Sequence, residues 1–422
     1  MSMSTRDAQQ PRGHSGRAGA VPGIAAPQDG ASSRLPGWLV WSLVLVMAGL
    51  SAVYLGRGLY LAWTSQGGDL WDRYTEYRWF REHVYPNRQI AGPGTAAAVP
   101  WSVYPPYAFP LFAIFFEAGG FALGKLLNGL LALVALGVIG HFGYRQLRFA
   151  GQPLALFGAM AGAAIAGNMT TFALGQFSML SAGLIALQVI FLGRGQSVAA
   201  ATCWTLAMVK PQIALPFAAL FLLRQQWLGL AGGTALLTTL SLGACWWTGV
   251  APASVVRSWW FGSMNWTLDA GTGPGPLALA FGISPRLAQG GALLLLLGLV
   301  LAIALRLRRQ PGRPALLPLA AICALLGMML SYHRFYDNIM LFPALVAVLV
   351  MAVRAPSWFS IGLSAGMALS VCVPASVANA VPGHASICAS IWTLTAIALW
   401  LRRDLFVSAD CAASVPQFRA AG

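Results

Sequence analysis

The chain has 422 residues, of which 58% are hydrophobic and only 9% are charged. This composition excludes an ordinary soluble globular protein, because too little polar surface would remain to cover it. The formal net charge of +15 does not indicate a nucleic-acid partner, because the arginines are scattered in short segments between apolar stretches. The pattern is typical of a polytopic membrane protein.

The chain begins with a segment rich in Ala, Gly, Ser, Pro and Arg that has no apolar periodicity. Residues 1–36 are therefore predicted to be a disordered cytoplasmic tail. Residues 37–403 are predicted to form one transmembrane domain, and residues 404–422 a second cytoplasmic tail. The first apolar span, Trp38–Trp63, is too long for the apolar region of a signal peptide and is predicted to be a retained anchor.

A membrane-spanning helix needs about 20 apolar residues. Two apolar stretches depart from this length. Tyr107–Glu117 is too short and is predicted to be interfacial or re-entrant, and Ser197–Leu223 is broken by Lys210-Pro211, which predicts a tilted hairpin of short helices. The other predicted spans are Phe121–Phe142, Pro153–Gly167, Phe172–Leu192, Trp227–Gly249, Arg286–Leu305, Ala315–Leu330, Ile339–Val353, Trp358–Val373 and Ala385–Leu401.

The basic residues predict the orientation of these spans. With a cytoplasmic N-terminus, every short basic loop falls on the cytoplasmic side, as the positive-inside rule requires, and both termini are cytoplasmic. The polar segments then gather on the outer side, where they mark a pathway or a site. They are the acidic segment 67–86, Tyr104-Pro105-Pro106, residues 168–176, the Lys210-Pro211 tip, a tryptophan-rich loop around 258–275, and residues 331–338.

Four of the eleven acidic residues lie in the segment from Gly67 to Pro86. Read as a helix, this segment has an acidic face and an aromatic face, which predicts an amphipathic helix at the membrane interface. The predicted acidic face consists of Asp69, Asp72, Glu76 and His83, and the opposite face of Leu70, Tyr74, Tyr77 and Val84. Asp69 is interpreted either as a helix cap or as a catalytic carboxylate. The arginines of the segment, including Arg73, are expected to pair with nearby acids.

Two further groups stand out. Lys210 is expected to need an anionic partner, such as a lipid head group, unless it snorkels at the end of a span. The second group is a polar cluster between two apolar spans, which either binds a phosphate or a sugar or is an internally paired loop in which Arg334 balances Asp337. Its members are His333, Arg334, Tyr336 and Asp337.

In this order, these segments resemble glycosyltransferase family 87, whose members are polytopic GT-C enzymes that use polyprenyl-phosphate sugars. The resemblance extends over roughly residues 67–338. The segments that carry it are Asp69 with Tyr85-Pro86, Tyr104-Pro105-Pro106, Gly175-Gln176, Lys210-Pro211 and residues 331–337. The last segment departs from the Trp-x-His or Asp-Tyr-Asp pattern that is frequent in the family, which leaves the roles of His333 and Asp337 open.

The resemblance implies an all-α polytopic membrane protein, a GT-C-like bundle of about 10–12 transmembrane helices with an interfacial helix in the first outer loop, residues 64–106. It implies inverting transfer of a sugar, most simply mannose, from a polyprenyl-phosphate donor to a hydroxyl of a glycan or glycolipid acceptor. The reaction would occur at the outer face of the bacterial plasma (inner) membrane. Asp69 would be the general base, with Asp72 as the alternative. The expected donor-phosphate contacts are Lys210, Arg334 and His333, and the expected substrate contacts are Tyr104, Gln176, Tyr336 and Asp337.

A transporter or flippase of lipid-linked glycans is the alternative. It would place charges at mid-bilayer in several spans and would favour internal repeats, whereas most interior spans here are uncharged. A membrane scaffold would not explain why the polar segments share one side. No cofactor is predicted, since there is neither a metal-ligand spacing nor a glycine-rich phosphate loop, and a metal requirement is left open.

Overall fold

The computed structural model describes residues 36–403, apart from residues 66, 88–89, 91–101, 103, 259–281, 309–314 and 332. All regular elements in this part of the chain are helices. The predicted tails, except for residue 36, and nearly all of the tryptophan-rich segment 258–275 lie outside the described residues.

The helices follow the apolar runs of the sequence. Before residue 258 they are α1 (Gly37–Thr64), α2 (Gly68–Arg81), α3 (Ala108–Phe116), α4 (Gly120–Leu147), α5 (Gln152–Ala161), α6 (Gly167–Leu174), α7 (Ser178–Gly193), α8 (Ser197–Ala207), α9 (Pro211–Leu223) and α10 (Trp227–Thr248). After residue 282 they are α11 (Pro285–Arg308), α12 (Leu316–Leu330), a 3₁₀ helix (Phe335–Leu341) that continues into α13 (Phe342–Arg354), α14 (Trp358–Cys372), α15 (Ala375–Ala378) and α16 (His384–Leu401).

Five helices among the described residues are long and apolar enough to cross a membrane, or up to six if the bent pair α6–α7 is one span. Most of the other apolar helices are shorter, with 10–17 residues. This confirms an all-α polytopic membrane protein. The count of about 10–12 transmembrane helices stays a prediction. The spans by length and composition are Gly37–Thr64, Gly120–Ala150, Trp227–Thr248, Phe335–Arg354 and His384–Leu401.

Two predicted spans are wrong. Pro153–Gly167 is helical only as far as Ala161, where α5 ends, and the next helix begins at Gly167. Phe172–Leu192 is not one helix, because the chain bends by 117° between α6 and α7. Gly175 ends α6 with a φ of +70°, a left-handed conformation that glycine adopts at little cost and that terminates helices. The predicted break at Lys210-Pro211 is confirmed, since α8 ends at Ala207 and α9 begins at Pro211.

The helix predicted after the first span is present as α2, but its predicted acidic face is wrong. The helix ends at Arg81, and His83 has a φ of +62°, which takes its side chain off the helical register. The imidazole instead stacks on the indole of Trp247, with ring centres 4.0 Å apart. Within the helix, Glu76 is buried and Asp72 is exposed, because tertiary packing rather than polarity decides which face is covered.

The helices surround α13, which is buried on nearly every side, as its uniformly apolar sequence predicts. Around it, α4 packs on α5 and α7, α1 on α5 and α6, and α7 on α8. Gly143 of α4 and Gly158 of α5 face each other at one crossing. A Cβ atom on Gly158 would lie 2.6 Å from the Gly143 carbonyl oxygen, so the two backbones can approach this closely only without side chains.

Candidate active site

The first turn of α2 is seated against the bend between α6 and α7. Leu70 is fully buried there, and a Cβ atom on Gly175 would lie 2.6 Å from the Leu70 Cβ. Gly175 therefore allows both the bend and the close approach of α2. Gln176 follows immediately, and its Nε2 donates a hydrogen bond to Oδ2 of Asp69. The structure thus brings together two predicted site residues that are 107 positions apart in the chain.

Asp69 is half-buried in the first turn of α2. The interpretation of Asp69 as a helix cap is wrong, because Gly67 is the N-cap residue and no side chain caps the helix. Burial raises the pKa of Asp69, and the positive charges of Arg73, Lys210 and Arg334 act in the opposite direction. Since these three cations influence the carboxyl, they lie within electrostatic reach of Asp69, together with the like charge of Asp72.

A buried ion pair lies on the other side of the bend. Lys210 Nζ is 2.6 Å from Asp337 Oδ1 and 2.6 Å from Ser178 Oγ, and the Ser178 hydroxyl donates to the same carboxylate oxygen at 2.7 Å. Only 2% of Lys210 and 1% of Asp337 are exposed. Ser178 was missed by the sequence reasoning, and its only signal there is its position two residues after Gln176.

Contacts with α6 fix the position of the polar segment around residues 335–337. Gly167 contacts it so closely that a Cβ atom there would lie 2.5 Å from the Phe335 carbonyl oxygen. The Thr171 hydroxyl donates to the Tyr336 carbonyl oxygen at 3.1 Å. The ring of Tyr336 in turn faces Lys210, with Nζ 4.5 Å from the ring centre, a cation–π geometry. These contacts bring Asp337 to the lysine.

The expected balance between Arg334 and Asp337 is not the pairing that forms. Asp337 pairs with Lys210, because the break between α8 and α9 places that lysine against the 3₁₀ helix. The main-chain N–H of Arg334 donates to Asp337 Oδ2 at 3.1 Å, while the Arg334 side chain is exposed. His333 is buried, with Nδ1 3.1 Å from the Ser331 carbonyl oxygen. Burial lowers the pKa of His333 below its ordinary value, although the Ser331 carbonyl and the nearby Asp337 act in the opposite direction.

A second buried ion pair lies within α2 itself. Arg73, 8% exposed, places Nη1 3.0 Å from Oε1 of Glu76, and its Nε donates to the main-chain oxygen of Asp69 at 3.3 Å. The guanidinium carbon is 4.4 Å from the ring centre of Tyr104, so this predicted substrate contact packs on the arginine. Glu76 is 0% exposed, and burial raises its pKa to about 7, against the effect of Arg73. The pairing expected of Arg73 is confirmed, but the burial of this pair was not anticipated.

The site therefore consists of one half-buried carboxylate, Asp69, flanked by two buried ion pairs. Among the described residues, no group of three or more His, Cys, Asp or Glu side chains could hold a metal ion. A carboxylate so placed can accept a proton from a bound hydroxyl. The exposed guanidinium of Arg334 can bind an anion next to it.

The fold and this site define a multi-pass membrane protein whose polar residues, from the loop after the first span and from three later helix breaks, are gathered around one carboxylate. The chain belongs to glycosyltransferase family 87, whose family model matches residues 101–331, more than half of its length. It is therefore a membrane glycosyltransferase. The matched range includes Tyr104, Gln176 and Lys210 and is narrower than the resemblance over residues 67–338. No curated protein and no solved structure matches the chain.

Proposed function

We propose that the protein transfers a sugar from a polyprenyl-phosphate donor to an acceptor hydroxyl, with inversion at the anomeric carbon and with Asp69 as the general base. The observation that carries the proposal is the placement of Asp69. Its carboxylate accepts a hydrogen bond from Gln176 and lies within electrostatic reach of Arg73, Lys210 and Arg334. These cations keep a half-buried carboxylate available for proton transfer.

The proposed chemical step follows from the acidity of the acceptor. A sugar hydroxyl has a pKa far above 7, so a base must take its proton while the new bond forms. The hydroxyl oxygen attacks the anomeric carbon from the face opposite the phosphate, and its proton passes to the Asp69 carboxylate. The bond from the anomeric carbon to the phosphate oxygen breaks, and its electron pair leaves with the polyprenyl phosphate. The raised pKa makes Asp69 a stronger base than an exposed aspartate.

The departing phosphate gains negative charge and needs a cation. Arg334 is the proposed main contact, because its side chain is exposed beside the buried cluster. The charge of Lys210 is already balanced by Asp337, so both residues, with Tyr336, are proposed to shape the phosphate end of the site. His333, close to Asp337, is proposed to line the same end.

Gln176 is proposed to contact the sugar or the acceptor as well as Asp69. Its Oε1 atom is buried and has no hydrogen-bond partner among the described residues, so it can accept one from a substrate hydroxyl. The positive-inside distribution of arginines supports a reaction at the outer face of a bacterial plasma membrane. The polyprenyl chain would remain in the bilayer. A mannose-like sugar and a glycan or glycolipid acceptor are proposed from the family resemblance.

The test is transfer by the purified protein from labelled polyprenyl-phosphate mannose and arabinose, with nucleotide sugars as competing donors. Asp69→Asn is expected to lower transfer by about 10²–10⁴-fold, the usual contribution of a general base. Asp72→Asn, an exposed position on the same helix, is the matched control and should keep most activity. Undiminished transfer by Asp69→Asn would exclude it as the base. Transfer from nucleotide sugars alone would overturn the proposed donor class.

A further inference from the structure

Arg73 is held from three directions. Glu76 contacts its Nη1 at 3.0 Å, Tyr104 covers the guanidinium with its ring, and the main-chain oxygen of Asp69 accepts from Nε. Positions 69, 73 and 76 lie on one face of a helix, since residues three, four and seven apart are aligned. A rigid cation therefore lies one turn along the helix from the proposed base.

Stability alone does not explain this pair. Removing two charges from water costs about as much as their attraction returns, and apolar residues of similar size often do as well or better. Glu76 is nevertheless 0% exposed. A buried arginine that needs its own buried carboxylate is better explained by what it does for a neighbouring group, and that neighbour is Asp69.

We propose that Arg73 is a positioning residue for the reaction: fixed between Glu76 and the ring of Tyr104, its guanidinium keeps Asp69 ionised and ready to accept a proton. Glu76 acts through Arg73 by orienting its guanidinium. The inference rests on the proposed function in which Asp69 is the base. It adds to that function a pair of residues that tune the base without touching the substrate.

The surrounding charges set the sign of the expected effects. Among them, burial apart, Arg73 has the largest influence on Asp69, and it favours the ionised form. Loss of the Arg73 charge should raise the pKa of Asp69. Glu76, whose own pKa is raised to about 7, is already protonated below neutrality, so its replacement by Gln should leave the pKa of Asp69 nearly unchanged. The charged or titratable groups that act on Asp69 are Arg73, Asp72, Lys210 and Arg334, and those around Glu76 are Arg73, Asp72, Asp69, Tyr104 and Tyr85.

The experiment is the pH dependence of kcat/KM for the purified full-length enzyme with its polyprenyl-phosphate sugar. Activity rises with pH as Asp69 loses its proton, which gives the profile an acid limb. Arg73→Met should move this limb up by about one pH unit. Glu76→Gln should leave the limb in place, because Glu76 is already protonated below neutrality. Arg73→Lys, which keeps the charge, should stay near the wild type. Arg78→Met, exposed on the same helix, is the matched control and should not move it.

An upward shift of the limb in Arg73→Met that is absent from Arg73→Lys supports the inference, because a loss of folded protein would lower activity without moving the limb. An unmoved limb in Arg73→Met, or an equal shift in Arg73→Lys, would overturn it. If Arg73→Met does not fold, Arg73→Gln, which also removes the charge, replaces it in the same comparison. The failure of the proposed function is distinguishable, since Asp69→Asn would then keep full activity whatever the Arg73 variants do.

Discussion

The two buried ion pairs of the site are built in different ways. Arg73 and Glu76 are three residues apart on α2, whereas Lys210 and Asp337 are 127 residues apart and come from a helix break and a 3₁₀ helix. The spacing on α2 alone brings the first pair together. The second pair exists only when the whole bundle has assembled. The first pair therefore needs only the helix α2, whereas the second needs the assembled tertiary structure.

The pairs also differ in how completely their charges are satisfied. Asp337 binds Lys210 and Ser178 through one oxygen and the main-chain N–H of Arg334 through the other. Glu76 has a pKa raised to about 7, so it gains or loses a proton near neutrality. The long-range pair thus acts as a structural lock, and the local pair as a titratable element. The difference teaches that burial alone does not tell which of two ion pairs is structural.

The largest expected effect comes from breaking the long-range pair. Lys210→Met leaves Asp337 buried without its cation, which should cost about 3–5 kcal/mol of unfolding free energy. Thermal unfolding in detergent measures this loss. Lys125→Met is the matched control, because the chain's other lysine is only partly buried and donates to the Ser65 carbonyl oxygen. The double variant Lys210→Met with Asp337→Asn should recover part of the loss. An equal loss of unfolding free energy in the Lys210 and Lys125 variants would contradict the structural role of the pair formed by Lys210 and Asp337.

The second-largest effect is expected when α2, which carries Arg73 and Glu76, is moved away from the bend between α6 and α7. Gly175→Ala strains a residue with a φ of +70° and sets its Cβ against Leu70, which should cost about 2–3 kcal/mol and lift α2 from the bend. Gly195→Ala is the matched control, since its φ is +74° but nothing lies within 4 Å of the added Cβ. It should cost only about 1 kcal/mol. Equal destabilisation of both variants in thermal unfolding would mean that the contact with Leu70 does not seat α2.

The smallest expected effect tests whether Glu76, in the ion pair on α2, gains and loses a proton near neutrality. The folded-state pKa of Glu76, about 7, is above its ordinary value of 4.5, so the folded state binds the extra proton and stability falls as pH rises through this window. Glu76→Gln should therefore remove about 1–3 kcal/mol of pH-dependent stability change between pH 4.5 and 7.

Unfolding midpoints measured across that range test this expectation. Glu82→Gln, an exposed carboxyl at the C-terminal end of the same helix, is the control and should keep the wild-type slope. An unchanged slope in Glu76→Gln would contradict the assignment of a buried titrating carboxyl to Glu76.

The elements that depend on local sequence were predictable. Long apolar runs predicted α1 and α10 to within one residue at each end, because a helix in a membrane must satisfy its backbone within itself, while α4 extends five residues beyond its predicted end. The break at Lys210-Pro211 was predictable because proline lacks the N–H that continues a helix. The bend at Gly175 was missed, since the apolar run from Phe172 to Leu192 contains no proline and a glycine within such a run is often tolerated.

The candidate site likewise has residues that could be predicted from the sequence and residues that could not. Polar residues are rare and costly among apolar spans, so four site residues were recognisable in the sequence: Asp69, Gln176, Lys210 and Asp337. The residues with which they interact were not recognisable there. Ser178 is an ordinary helix residue in the sequence, and the stacking of His83 on Trp247 joins residues 164 positions apart.

The sequence by itself determined the class of protein, most of its helices and the local spacing of Arg73 and Glu76, because these depend on composition and on contacts within a few residues. Only the tertiary structure decided that Glu76 is buried, that Gln176 binds Asp69, and that Lys210 pairs with Asp337 rather than leaving that role to Arg334. The physical reason is that a charge at membrane depth takes the partner that packing brings within reach, and the sequence does not reveal that geometry.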